Sequence, residues 1–136
     1  MEERPALEFY YGVPLREPYP SELDFFRANP NVAGMATEDD QIIINPRLAD
    51  DPQNYRAVAQ NEAVRVLLRQ NELPRPKFEL DPELLRRFGA YSSDPQDIRE
   101  TVAARWISGD PSAPAPSTPE QASYLDALRF LLSRRQ

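Results

Sequence analysis

Proline restricts this chain more than any other residue, because fifteen prolines but only four glycines are spread over its 136 residues. Proline lacks a backbone N–H and disfavours helix at the residue before it, but it fits the first position of a helix. We therefore expect short elements joined by stiff, extended connectors. Helix starts are predicted where a capping residue precedes a proline and an amphipathic run follows, at Asp51, Asp81, Asp94 and Thr118.

The apolar pattern between the prolines predicts the secondary structure. Helices are expected over about residues 21–28, 52–70, 82–88, 95–107 and 118–136. Two apolar runs on either side of the polar turn at 38–41 predict a β-hairpin over about 32–45. The predicted fold class is mainly α with a small β-hairpin (α+β), in which four to five short helices are joined by proline-rich connectors.

The predicted domain organisation has four parts. These are an aromatic, proline-rich extended arm (1–20), a helical core domain (21–108), a proline-rich linker (109–117) and an amphipathic C-terminal helix (118–136). We expect the arm to pack on its own domain, with packing on a neighbouring chain as the alternative. The side chains expected to make interactions are Phe9, Tyr10, Tyr11 and Tyr19 in the arm and Tyr124, Leu125, Leu128, Leu131 and Leu132 in the helix.

The composition limits the chemistry that is open to the chain. It contains no histidine and no cysteine, which excludes a Ser-His-Asp triad, a thiolate nucleophile and an ordinary zinc site. No metal and no cofactor are predicted. Catalysis by carboxylates and oxygen-ligated cations remain compatible with the composition.

The net charge of −6 bears on the choice of partner, because an acidic chain repels phosphate backbones. We therefore expect protein partners, either other copies of the chain or different subunits, and no nucleic acid. The apolar runs are only a few residues long, and the N-terminal residues lack the pattern of a signal peptide. No membrane contact and no secretion through a signal peptide are predicted.

Glu62 is the charged residue whose position needs a physical explanation. On the longest predicted helix it shares a face with Tyr55, Val58 and Val66. Because a buried carboxylate without a partner costs several kcal/mol, an inward-facing Glu62 is expected to pair with a guanidinium. Arg65, Arg69 and Arg105 are the candidates for this structural ion pair.

The run Ile42-Ile43-Ile44-Asn45-Pro46, followed by a helix with Asn61-Glu62-Ala63-Val64-Arg65, resembles the strand–helix unit of zincin metallopeptidases. In that family the helix carries two metal-binding histidines, four residues apart, with a catalytic glutamate after the first. Here Glu62 matches the glutamate, but Asn61 and Arg65 replace the histidines, and an arginine would repel zinc. The resemblance implies a degenerate, metal-free site, with Glu100 where the family often places a third ligand.

A second resemblance is to short bacteriophage proteins of uncharacterised function. It depends on residues 31–39 (Asn-Val-Ala-Gly-Met-Ala-Thr-Glu-Asp), on 61–65 and on 108–113 (Ser-Gly-Asp-Pro-Ser-Ala). None of these stretches is a catalytic motif. The resemblance implies a role in a virus particle and no particular mechanism.

The function predicted from the sequence is a non-enzymatic structural or protein-interaction subunit, a small component of a phage particle. It would hold its neighbours through the arm and the C-terminal helix, in the cytoplasm or in a virion. The degenerate, metal-free zincin-like protein that the first resemblance implies is one alternative, and two more remain open. One is a carboxylate-dependent hydrolase that uses Glu62 and Glu100, and the other is a small acidic inhibitor that mimics a substrate or nucleic acid.

Overall fold

A computed structural model describes residues 4–135, so residues 1–3 of the predicted arm and Gln136 of the predicted last helix lie outside the described chain. The described part contains five α-helices, a 3₁₀ turn at Pro46–Leu48 and four short strands. The helices are α1 Pro20–Ala28, α2 Pro52–Arg69, α3 Pro82–Phe88, α4 Pro95–Ser108 and α5 Pro119–Ser133. The strands are β1 Glu8–Tyr10, β2 Val13–Leu15, β3 Gly34–Ala36 and β4 Ile42–Ile44. The predicted class, mainly helical with a small sheet, is confirmed.

The prolines mark the helix starts as the sequence predicts. Helices α2 to α5 each have proline at the first turn, preceded by a residue whose side chain accepts a backbone N–H from that turn. These capping residues are Asp51, Asp81, Asp94 and Thr118. Since a backbone N–H at this position would have no partner inside the helix, the missing N–H of proline costs nothing there, and its fixed φ favours the helix.

The four strands form one sheet in the order β1-β2-β4-β3. The outer pairs are antiparallel, while β2 and β4 lie parallel at the centre. Ile42 and Ile43 are completely buried and Ile44 is only 5% exposed, as expected for a strand with apolar contacts on both of its faces.

The sheet is larger than the sequence predicts, because residues 8–15 of the arm form a hairpin within it. The turn is Tyr11-Gly12, in which both residues have positive φ, 53° and 84°. Two-residue hairpin turns of this kind favour Asn-Gly or Asp-Gly, so Tyr-Gly gives little signal in the sequence. The arm is therefore a structural part of the domain.

Helix α2 joins the sheet to the other helices. One cluster of buried side chains combines β2, β4 and α2 with Ala103, Ala104, Leu128 and Leu132 from α4 and α5. A second cluster lies among α3, α4 and α5 around Phe78, with Trp106 tilted against its ring at a centroid distance of 5.4 Å. Helix α4 contributes to both clusters and so connects them.

The segment predicted to be a linker, 109–117, is held against the second cluster. The Trp106 indole donates a hydrogen bond to the carbonyl of Pro114 over 2.8 Å, and Arg105 donates to Ser112 Oγ over 2.6 Å. Ala113 packs on the cluster itself. Helix α5 therefore follows a connection that packs along its own domain.

Arg16 connects β2, α1 and the residue before β4. Although only 3% of its surface is exposed, its guanidinium donates two hydrogen bonds to the Glu22 carboxylate, over 2.8 and 3.0 Å, and one to Gln41 Oε1 over 2.7 Å. Its charge also lies 4.0 Å from the centre of the Tyr19 ring. These hydrogen bonds from Arg16 are the main cause that lowers the pKa of Glu22.

We expect Arg16→Met to destabilise the fold by about 3–5 kcal/mol, because it leaves the Glu22 carboxylate partly buried without its guanidinium. Denaturant unfolding followed by circular dichroism measures the loss. Arg27→Met is the matched control, since Arg27 and its partner Asp24 are both 73% exposed at their side chains. This control should leave the midpoint nearly unchanged; equal midpoints for the two variants would contradict the role of Arg16.

Candidate functional site

A groove of about 1230 Å³ lies between β3, α2 and α4. Strand β3 forms one wall, the exposed side of α2 forms the floor, and the end of α4 with the turn at 108–111 forms the other wall. Helices α2 and α4 run in opposite directions, because Arg65 in the middle of α2 contacts Thr101 while Gln96 at the start of α4 contacts Pro76, beyond the end of α2.

Strand β3 is an edge strand, and its free side carries unpaired backbone groups. In its ladder with β4, Met35 pairs with Ile43, Ala33 accepts from the Asn45 N–H, and Thr37 donates to Gln41. Alternate residues of an antiparallel strand direct their N–H and C=O to opposite sides. The N–H and C=O groups of Gly34 and Ala36 therefore point away from β4, where a further strand would pair.

Gly34 allows β3 to lie close to α2. A Cβ atom at this position would stand 2.6 Å from Val58 Cγ1 and 3.1 Å from the carbonyl oxygen of Ile43. Any larger residue would push the strand from the helix and change the width of the groove. The glycine thus sets the distance between one wall and the floor.

The structure brings all six residues of the two predicted polar sites to this groove. Asn61, Glu62, Arg65 and Arg69 come from α2, and Glu100 and Arg105 come from α4. They are neighbours because the helical period places the first four along one side of α2, and the opposite course of α4 brings its last turns beside them. The sequence therefore indicates where the polar cluster lies.

The predicted ion pair of Glu62 is wrong. In residues 4–135, the ion pairs shorter than 4.0 Å do not include Glu62. Arg69 instead pairs with Asp40 at 2.6 Å in the β3–β4 turn. Arg65 donates to Thr101 Oγ1 over 2.9 Å and to Asn61 over 3.3 Å.

Arg105, the third candidate, contacts the turn beyond its helix and two aromatic rings in and after α3. Its guanidinium donates to Ser112 and lies 5.2 and 5.3 Å from the ring centres of Phe88 and Tyr91. Each of the three arginines thus has another acceptor or an aromatic ring within reach. The helical period predicts which residues share a face, but it does not determine which way long side chains extend from it.

Glu62 is consequently a largely buried carboxyl group without an ion pair to offset the cost of removing its charge from water. Burial is the largest effect and raises its pKa from 4.5 to about 7, while the charges of Arg65 and Arg69 oppose the change. The group is therefore close to half protonated at neutral pH, on the floor of a groove that is open to solvent. Only Gln96 donates a hydrogen bond to Glu100 within the described chain, over 3.3 Å.

The acidic side chains of the described residues do not come together as a metal site. No group of three or more Asp or Glu side chains in residues 4–135 is arranged to hold a cation. At the positions of the degenerate zincin-like motif, Asn61 and Arg65 are hydrogen-bonded to each other. This contact occupies the side chains that replace the metal-binding histidines.

The residues predicted to hold neighbouring chains are largely used inside this one. Leu125, Leu128 and Leu132 are buried, and Tyr124 and Leu131 pack on the core, as do Tyr10 and Tyr11 of the arm. Tyr19 lies against Arg16. Phe9 differs from the others, because 67% of its surface is exposed. The arm and the last helix therefore have few side chains free for a partner.

Two features of the site were missed by the sequence reasoning. The pairing of β3 on one side only depends on the strand order, and no local pattern encodes it. Arg56 and Arg75 also line the groove, but nothing in their immediate sequence separates them from surface arginines. Outside the groove, the contact of Arg16 with Glu22 was also missed, and the cap-like position of Glu22, three residues after Tyr19, was the available signal for it.

Comparison of the chain with protein-family models, with curated proteins and with solved structures finds no match in any of the three. Among the helices of residues 4–135, none combines the length and the apolar character that crossing a bilayer requires.

We expect Glu62→Gln to stabilise the protein by about 2–3 kcal/mol at pH 8 and to have little effect at pH 4. Below pH 4.5 the carboxyl is protonated in both the folded and the unfolded chain, so burial costs little. Between about pH 4.5 and 7 the unfolded chain ionises this carboxyl while the folded chain still holds the proton, so the wild type loses stability until the pH has passed the folded pKa of about 7.

Denaturant unfolding at both pH values measures this difference. Glu38→Gln removes the same charge from an exposed turn and should leave the stability nearly unchanged at either pH. A loss of stability in Glu62→Gln at pH 8 would show that the carboxylate has a stabilising partner in solution.

Proposed function

We propose that this protein is a non-enzymatic protein-interaction subunit, which binds an extended segment of another protein in the groove along β3. The observation that carries the proposal is the edge strand in the groove wall, with the N–H and C=O groups of Gly34 and Ala36 directed outward. An added strand would pair with these groups, and its alternate side chains would contact the floor formed by α2.

The dimensions and the lining of the groove support a peptide over a small molecule. Its volume of about 1230 Å³ is above the range of roughly 300–1,000 Å³ that is common for small-molecule sites. The lining is mostly polar and charged along α2 and α4, with apolar contributions from Ala33, Met35 and Val58. Such a mixture suits a segment of alternating side chains.

This function belongs to the class predicted from the sequence, a non-enzymatic protein-interaction subunit, but the partner binds in the groove and not on the arm and the C-terminal helix. The arm and helix α5 mostly serve the fold of this chain, so the groove replaces them as the main site for a partner. The resemblance to bacteriophage proteins gives the context in which we place that partner, another subunit of a virus particle.

The other edge of the sheet offers an internal comparison. Strand β1 is also paired on one side only; Leu7 just before it is 56% exposed and Phe9 within it is 67% exposed. It does not border the large groove. A strand added at β1 would therefore have fewer surrounding side chains to select its sequence.

We expect Ala36→Pro to weaken peptide binding at least tenfold, because proline removes an outward N–H and leaves the bonds to β4 in place. The ligands are dodecapeptides selected on the wild-type protein from a displayed random library, and calorimetry measures their affinities. Phe9→Pro makes the equivalent change on β1 and should alter the affinity less than twofold. A larger loss in Phe9→Pro would place the partner on the other edge and contradict the proposal.

Hydrogen exchange gives a readout that does not depend on variants. The amides of Gly34 and Ala36 should exchange rapidly in the free protein and slowly when a selected peptide is bound. Unchanged exchange at both amides with a bound peptide would refute pairing along β3.

A second candidate is an enzyme that uses Glu62 and Glu100. The observation in its favour is the pKa of about 7 for Glu62 in a groove that is open to solvent, because an acid–base catalyst works best when its pKa is near the operating pH. Mass spectrometry of the selected peptides after long incubation separates the two functions. Cleavage that Glu62→Gln abolishes would favour the enzyme; intact peptides with equal affinity for this variant would favour the binding protein.

A further inference from the structure

We infer that the segment bound in the groove carries acidic side chains, which are recognised by Arg65, Arg75 and Arg105. The inference rests on the proposed function and names the chemistry of the partner. It is argued from the partners of the groove arginines, from those of the groove carboxylates and from the charge of the chain as a whole.

The groove arginines lack carboxylate partners, with one exception. Five arginines line it, at positions 56, 65, 69, 75 and 105. Of these, only Arg69 takes part in an ion pair shorter than 4.0 Å within the described chain. The other four have no carboxylate within 4.0 Å in residues 4–135, although the charge of Arg65 acts on Glu62 at longer range.

Three of these four arginines are held in place by neutral groups. Arg65 donates to Thr101 and Asn61, and Arg75 donates to Asn71 over 3.2 Å. Arg105 donates to Ser112 and lies beside two aromatic rings. A guanidinium has five N–H donors, so each side chain is oriented while most of its donors remain free for a ligand carboxylate. Because these arginine side chains are already oriented, they lose less conformational entropy when they bind a ligand carboxylate.

The hydrogen bonds that the groove carboxylates accept within the described chain come from groups other than these arginines. Asp51 accepts the N–H of Asn54 at the start of α2, and Asp110 accepts that of Ser112 over 2.8 Å. Glu100 accepts from Gln96. The raised pKa of Glu62 reduces its negative charge at neutral pH. Repulsion between the groove and an acidic segment is thereby limited.

The charge of the whole chain makes this arrangement selective. The sequence has 22 acidic and 16 basic residues, whereas five arginines and four acidic residues line the groove. An acidic segment is repelled by most of the surface and attracted at the groove, which favours one site and one orientation.

Three capped pentapeptides with alternating residues test the inference: Val-Glu-Val-Glu-Val, Val-Gln-Val-Gln-Val and Val-Lys-Val-Lys-Val. We expect the glutamate peptide to bind at least tenfold more tightly than the glutamine peptide, and the lysine peptide to bind more weakly than either. The preference for glutamate should fall when the salt concentration is raised from 0.05 to 0.5 M, because salt screens charge attraction. Calorimetry gives the affinities.

Arg65→Gln and Arg75→Gln should each weaken the glutamate peptide about three- to tenfold and leave the glutamine peptide unchanged. Arg129→Gln removes the same charge from the exposed side of α5 and is the matched control. Arg75 is exposed and contacts Asn71, four residues before it in the chain, so its variant is expected to fold even if Arg65→Gln does not. Thermal unfolding checks each variant.

The outcomes separate this inference from the proposed function. Equal affinities of the glutamate and glutamine peptides, both weakened by Ala36→Pro, would overturn the acidic preference and keep the groove as a peptide site. Absence of binding by any of the three, with no protection of the Gly34 amide, would count against both. Inorganic phosphate that binds alone and displaces the glutamate peptide without protecting β3 would indicate an anion site and overturn the inference.

Discussion

The close contact between α2 and α4 is the constraint on which the rest of the structure depends. Ala59 and Ala63 on α2 and Ala103 and Ala104 on α4 are completely buried, in the same cluster. Small residues let the helix axes come close together, so little space remains for side chains between them. The polar residues of both helices are therefore placed at the border of the contact, and this border forms the floor of the groove.

The helices could be predicted from the sequence because their signals are local. A capping side chain followed by proline specifies a helix start within a few residues, and α2 to α5 all begin in this way. The three isoleucines predicted β4 for a similar reason. The hairpin of β1 and β2 was missed because its turn contains tyrosine, which rarely adopts positive φ.

The site was predicted only in part, because its geometry depends on contacts between distant residues. Helical period was enough to place Glu62 and Arg65 on the same polar border. The partners were not predictable, since Arg65 reaches Thr101, which is 36 residues away, and Arg69 reaches Asp40, which is 29 residues away. An edge strand is defined by the order of strands in the whole sheet, which no single segment of sequence contains.

The indole of Trp106, which is hydrogen-bonded to the carbonyl of Pro114, is an internal fluorescent reporter. The sequence has a single tryptophan, and its ring lies between the second cluster and the segment 109–117, with 8% of its surface exposed. Emission from an indole shifts to longer wavelength when water reaches the ring. The emission wavelength would therefore report detachment of the segment 109–117 from the second cluster, and no attached dye is needed. A conformational change confined to the sheet would leave that wavelength unchanged.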